Sequence, residues 1–324
     1  MNLLYLSRHD VESLGLTMRE VLDVVEQGFR LKGLGMTEMP AKIGVHPVND
    51  AFIHAMPAYV KQIESAGLKW VSGFPSNIGK GLPYITGLLI LNDPQTGIPL
   101  AVMDCAWITA MRTGASVGIS AKYLARPESR VAAIHGCGVQ ARTSLMALVE
   151  TVPTLAEVRC HDLFPAATGR FIQEMAQTFP RLTFHACNSV ADMIQGSQIV
   201  VTAIPIVTKP QPLLDADMLE PGGLAVSLDY DSAWTSAAMR QCTFCSDDIP
   251  QLLETRAHGV YFAEIPNLIH ADLGQLAAGL KPGRQNPTER IFSMNMGIAV
   301  EDMVTAKLVL QRATQRGVGT RLPL

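Results

Sequence analysis

Charge is scarce in this sequence. Asp, Glu, Lys and Arg supply 17% of its 324 residues, against about 25% in an average soluble protein. Acids outnumber bases, 29 to 26, for a net charge of −3. That balance excludes the basic surplus with which a nucleic-acid binder neutralises phosphates. Cysteine is also sparse. Six scattered thiols do not make a disulfide scaffold. Long apolar runs are missing as well: the most apolar stretch, 199–207, is interrupted by Thr202 and Pro205, and a membrane-spanning helix needs about 20 residues. The first ten residues have no basic start before their apolar stretch and soon reach Asp10. A cytoplasmic, reduced protein with no membrane and no nucleic-acid partner is expected.

Several catalytic signatures are absent too. No His-Glu-x-x-His, no i, i+4 histidine pair, no Gly-x-Ser-x-Gly elbow and no Walker loop occurs. Cys242 and Cys245 have metal-like spacing, but they fall in an expected strand, where positions three apart face opposite sides. No metal is expected. Among the eight histidines, His54, beside Met56-Pro57, is the candidate pocket residue.

What is abundant is apolar surface, 48% of residues, enough for a large core. The length suggests roughly two domains. Thr17 and Glu20 form a capping-box pair ahead of the stripe Val21, Leu22, Val25 and Phe29. Turn-rich segments follow at Met39-Pro40, His46-Pro47, Met56-Pro57 and Phe74–Asn77. Gly87–Asp93 and Pro99–Met103 read as a hairpin around Asp93–Gly97. Residues 107–125, rich in Ala, Gly and Ser, read as a closely packed helix, and Pro127 as a first boundary. Beyond it, strands at 130–135, 157–161, 182–185, 199–203, 224–228 and 242–246 alternate with helical stretches, the pattern of a doubly wound parallel sheet.

The segment Ala133-Ile-His-Gly136-Cys-Gly138-Val139-Gln140-Ala141 is a Gly-x-Gly-x-x-Ala turn between a strand and a helix. Gly136 permits the tight turn. Gly138 admits the pyrophosphate of a dinucleotide, and Ala141 lets helix and strand pack closely. Asp162 ends the next strand, where a carboxylate accepts from the adenine-ribose hydroxyls and repels a 2′-phosphate. No Arg follows it, so NAD is favoured over NADP. Thr202, Ala203 and Ile204 end a further strand and are candidates for the nicotinamide-ribose site.

Three segments of the first part complete a larger pattern: Gly67-Leu-Lys69 to Asn77, Thr86–Gly97, and Met103-Asp104 to Arg112-Thr113-Gly-Ala115. With the tail Asn295-Met-Gly297-Ile-Ala299-Val-Glu-Asp302, they resemble the ornithine cyclodeaminase/μ-crystallin family over essentially the full length. The resemblance implies an α/β protein in which a Rossmann-type doubly wound parallel sheet, residues 119–296, joins an α+β substrate-binding and dimerisation domain. That domain covers residues 1–118 and is completed by the C-terminal helix, 297–324. A homodimer is implied.

By the same resemblance, Lys69 and Arg112 bind the carboxylate of a small substrate, and Lys69 also serves as a catalytic group. Thr113 joins Gly136, Gly138, Val139, Gln140, Asp162, Thr202, Ala203 and Ile204 at the cofactor. Counted from the Pro221-Gly turn, Asp231 matches the family's catalytic aspartate, with Asp229 as the second candidate. Two carboxylates two residues apart on extended chain share a side and repel, which raises one pKa. Three departures matter. The chain continues Asp231-Ser-Ala-Trp where cyclodeaminases have Asp-x-Pro-Gly-Lys. Lys42 stands where many members have arginine, and Tyr84 where threonine is common. The function implied is an NAD(H)-dependent oxidoreductase of a small amino or imino acid. A cyclodeaminase that recycles its NAD and a non-catalytic, crystallin-like ligand binder are the alternatives.

Overall fold

The computed structural model describes residues Met1–Leu324. The chain divides into two compact units: residues 1–112 with 298–324, and residues 113–297. The first division falls six residues before the sequence-based boundary of 118/119, inside one long helix, where no turn residue marks it.

The first unit is α+β. Its chain order is β1 (Asn2–Leu6), α1 (Arg8–Ser13), α2 (Met18–Gly33), β2 (Thr37–Glu38), β3 (Ile43–Val45), β4 (Phe52–Val60), β5 (Ser65–Gly73), β6 (Ile85–Asn92) and β7 (Pro99–Asp104). The start of α3 (Ala106–Leu124) follows, and α10 (Ala299–Arg316) and β16 (Thr320–Pro323) return from the chain's end. The sheet runs β16-β1-β7-β6-β5-β4-β2, with β3 also on β4. Alternation is clean. Met56, Lys69, Leu89 and Met103 lie opposite one another on four strands and are all buried. The next row, Ala55, Trp70 and Leu88, faces out. Helix α10 lies against β4, β5 and β6 and packs on α2. A Cβ on Gly28 of α2 would stand 3.0 Å from Val304 of α10, so only glycine keeps that approach easy.

The capping box forms as expected: Thr17 and Glu20 exchange bonds at the start of α2. The turn expected at Met56-Pro57 does not form, because both residues lie within β4. Pro57 is tolerated there because β3 pairs with 53–55 and β2 with 59–60, which leaves the middle of that edge without a partner that needs its N–H.

The second unit carries the parallel sheet. Its elements are β8 (Val131–His135), α4 (Val139–Thr151), β9 (Glu157–His161), α5 (Pro165–Thr178), β10 (Thr183–Ala186), α6 (Val190–Ile194), β11 (Ile199–Thr202), β12 (Leu224–Ser227), α7 (Ser236–Gln241), β13 (Thr243–Ser246), α8 (Ile249–Ala257), β14 (Ala271–Asp272), α9 (Leu273–Ala277) and β15 (Ile291–Met294). The order is β10-β9-β8-β11-β12-β15-β13-β14, with every pair parallel. The sequence pattern missed β15, a four-residue strand inserted between β12 and β13. The close packing expected of α3 is real: a Cβ on Gly114 would stand 2.4 Å from the Thr143 carbonyl of α4. No helix is long and apolar enough to cross a membrane.

Candidate active site

In a parallel sheet the carboxyl ends of the strands form the ligand-binding crest. In the second unit, β8 ends at Gly136. Its φ is +88°, and an added Cβ would stand 2.6 Å from the Ala203 carbonyl at the end of β11. Glycine is required twice over, by conformation and by space. At Gly138 the opposite holds: nothing lies within 4 Å of an added Cβ. Gly138 is the N-cap of α4, and no side chain caps that helix. Exposed Gly138 and Val139 and half-buried Gln140 therefore surround free backbone N–H groups, a fitting cradle for a pyrophosphate.

Asp162 ends β9 and braces this turn. Its Oδ2 accepts from Cys137 N–H at 2.7 Å and its Oδ1 from Phe164 N–H at 2.9 Å. A carboxylate offers about four acceptor positions, so ribose hydroxyls find capacity on it. Arg142, which the motif reading passed over, clamps the turn from the other side. Its Nη1 donates to the Cys137 and Gly138 carbonyls at 2.9 and 2.8 Å, while its Nε pairs with Glu174 at 2.6 Å. The signal was present: an arginine one residue past the Ala of the fingerprint.

Thr202, Ala203 and Ile204 lie beside Gly136 on the crest, and one carboxylate ties them to β12. Asp229 is fully buried. Its Oδ1 accepts from Thr202 Oγ1 at 2.9 Å and Ser227 Oγ at 2.8 Å, and its Oδ2 from Ile204 N–H at 3.1 Å. Burial lifts its pKa to about 6 against the pull of these donors. Asp231 is half-buried and accepts from Phe262 N–H at 2.7 Å, and burial raises its pKa too. The expected repulsion between the two is not found, and each rise comes from desolvation. Tyr230, between them, has φ +55°. The chain turns there instead of running extended, which sends the two carboxyl groups to different partners. Thr113 is a nearly buried residue of α3 and the first residue of this unit.

The first unit gathers the charged residues. Lys69 has no exposed surface, and Arg112 is nearly buried. Both meet carboxylates of α10. Lys69 Nζ lies 2.8 and 2.7 Å from the two Asp302 oxygens. Arg112 Nε is 3.1 Å from Asp302, and its Nη1 is 3.0 Å from Glu301. Two cations and two anions thus share one buried cluster. Burial first, and then the neighbouring Arg112, pull the Lys69 pKa down to about 8, while Asp302 opposes them. Glu301 and Asp302 were missed as site residues. Both stand in the quoted tail motif, but no local pattern reveals partners 189 and 233 residues away. Lys42, half-buried, sits one residue before β3. No group of three or more His, Cys, Asp or Glu side chains is arranged to hold a metal.

Several known proteins resemble this chain over nearly its whole length. An alanine dehydrogenase from Archaeoglobus fulgidus is 34% identical, over 99% of this chain and 98% of its own. Among solved structures, the Thermococcus litoralis Delta(1)-pyrroline-2-carboxylate reductase in complex with NADH and L-proline superposes with a TM-score of 0.88. It is 33% identical, over 99% of this chain and all of that one. An archaeal alanine dehydrogenase dimer with bound NAD superposes at 0.87 with 32% identity, over the whole of both chains. The family model described as the ornithine cyclodeaminase/mu-crystallin family matches residues 1–317, and the chain belongs to that family.

Proposed function

We propose that this protein is an NAD(H)-dependent oxidoreductase that interconverts a small amino acid and the corresponding imino acid. The observation that carries this reading is the buried cluster of Lys69 and Arg112 in a chain that also holds an uncapped Gly-rich turn. Relatives that share about a third of its residues over nearly their whole length are an alanine dehydrogenase and an imine reductase seen with NADH.

The first unit holds the substrate. Arg112 presents a planar fork to its carboxylate, Lys69 adds charge there, and Lys42 supplies charge toward the rest of the substrate. Glu301 and Asp302 hold Lys69 and Arg112 in place before substrate arrives. The second unit holds the dinucleotide through Gly136, Gly138, Val139, Gln140, Asp162, Thr202, Ala203 and Ile204, with Thr113. Bound NAD(H) supplies the hydride exchanged with the substrate α-carbon. With Leu163 and Phe164, and no arginine, directly after Asp162, NAD is preferred to NADP. Proton handling at the substrate nitrogen falls to a carboxyl group. What favours Asp231 is access: it is half-buried with one oxygen bonded to Phe262 N–H, whereas Asp229 is fully buried with both oxygens taken by Thr202, Ser227 and Ile204. Asp229 ties Thr202, Ile204 and Ser227 together instead.

A homodimer is part of the proposal, formed through the outward face of the first unit's sheet. Trp70 and Leu88 are 46% and 45% exposed there and lie opposite one another on β5 and β6.

The test is NADH absorbance with pyruvate, glyoxylate or oxaloacetate plus an amine, and with cyclic imines. Turnover with at least one of them is expected. Silence across the panel, or proline and ammonia from ornithine with only catalytic NAD, sinks the oxidoreductase reading.

A further inference from the structure

We propose that His54, with Lys42 and His46, reads the substrate side chain and selects one ending in a carboxylate over one ending in an ammonium. This deepens the oxidoreductase reading and rests on it.

The placement comes from strand register. Met56 of β4 lies opposite Lys69 of β5, and His54 lies two residues along β4, on the same face. Gly44 of β3 lies opposite His54, and Lys42 and His46 stand just beyond the two ends of that strand. His54 and Lys69 therefore share one side of the sheet, the side on which Lys69 meets α10, and Lys42 and His46 flank the strand beside His54.

His54 is fitted into this position. Its ring stacks on Phe52, centroids 4.3 Å apart at 18°, and His46 approaches edge-on at 5.9 Å. A Cβ on Gly44 would stand 2.3 Å from His54 Cδ2, so the imidazole occupies room that glycine leaves. Charge gives the direction of selection. Lys69 and Arg112 are matched by Asp302 and Glu301 within the buried cluster. The groups acting on His54 are Lys42, His46 and Lys69, all basic. Burial above all, and then these groups, push its pKa down to about 3. The imidazole is thus neutral at working pH and free of charge cost as a hydrogen-bond donor. The basic groups around it repel a second ammonium and attract a second carboxylate.

The experiment compares kcat/KM in NADH-monitored assays. The imino acids are formed from ammonia with oxaloacetate, 2-oxoglutarate or pyruvate, and the reverse reaction uses L-aspartate, L-alanine and L-2,4-diaminobutyrate. The wild type is expected to prefer the dicarboxylic substrates. His54→Glu reverses the order toward diaminobutyrate by at least about tenfold, a usual size for a specificity change from one polar contact. His46→Glu, at an exposed position that folding tolerates, moves the order the same way and stands in if His54→Glu does not fold. Preference of the wild type for diaminobutyrate overturns the proposal, and so do variants that slow every substrate equally. If no imino acid is turned over, the oxidoreductase reading fails. Calorimetry of aspartate, alanine and diaminobutyrate with the NAD-loaded protein then decides this inference alone. Tightest binding of aspartate upholds it, and any other order, or no binding, overturns it.

Discussion

Lys69 has no exposed side-chain surface, so its charge must be matched inside the protein or given up. Asp302 matches it, yet the pKa still falls to about 8. A lysine held there is cationic below pH 8 and neutral above. Carboxylate binding needs the cation, so kcat/KM should fall about tenfold per unit above pH 8. Lys69→Arg should remove that alkaline limb from the profile, because guanidinium stays protonated. A limb that persists in this variant assigns it to another group. Lys69→Ala leaves Asp302 leaning on Arg112 alone; a loss of about 3 kcal/mol in chemical denaturation is expected for a broken buried pair. The two aspartates separate in a similar way. In Asp229→Asn the amide oxygen can keep the Ile204 N–H, and the two hydroxyls can turn to accept from the new NH₂. In Asp231→Asn the oxygen can keep Phe262 N–H. Both variants preserve their bonds and lose only the titrating proton. A fall in kcat of about a hundredfold or more is expected for Asp231→Asn and only a small change for Asp229→Asn; the reverse result moves the catalytic role to Asp229.

At the scale of elements, the strand–turn–helix of β8 and α4 was legible because its causes are local. Tight turn, open N-terminus and close packing each need a particular residue within nine positions. The structure adds what the motif does not say: the Gly136 Cβ position is blocked by the Ala203 carbonyl of a different strand. Gly136→Ala should therefore weaken NADH binding by an order of magnitude or more, since a strained φ alone costs about 1–3 kcal/mol, and fluorescence titration measures it. Wild-type affinity in that variant means the turn relaxes and does not hold the pyrophosphate. The first unit was harder to read. Pro57 looked like a turn because sequence does not show that β2 and β3 leave a gap opposite it. The tail, expected as one helix over 297–324, is helical only in α10, which ends at Gly317, because Thr320–Pro323 pair with β1 as β16. Glu301 and Asp302 of α10 gained a role only once the fold set them beside Arg112 and Lys69. Turn chemistry is written in consecutive residues, whereas charge pairing across the chain is written only in the fold.

For the molecule as a whole, the low charge content is visible on the first unit's sheet. One face is buried under α10 and α2. On the other, Pro57, Leu68, Ile90, Val102 and Tyr5 lie opposite one another across five strands, beside the row of Ile43, Ala55, Trp70 and Leu88. Every member is partly or largely exposed. A soluble monomer rarely leaves so continuous an apolar area open, and a second copy presenting the same face satisfies both at once. Charge at its centre should separate the copies. Trp70→Glu lies far from Lys69 in direction, since successive residues of a strand point to opposite faces, so the monomer should keep its fold. Sedimentation equilibrium is expected to show a dimer for the wild type and a dissociation constant raised roughly thirtyfold or more in the variant, the about 2 kcal/mol of a buried aromatic anchor. An unchanged dimer would mean that the copies meet elsewhere. A wild-type monomer at micromolar concentration would mean that this apolar face serves some other contact.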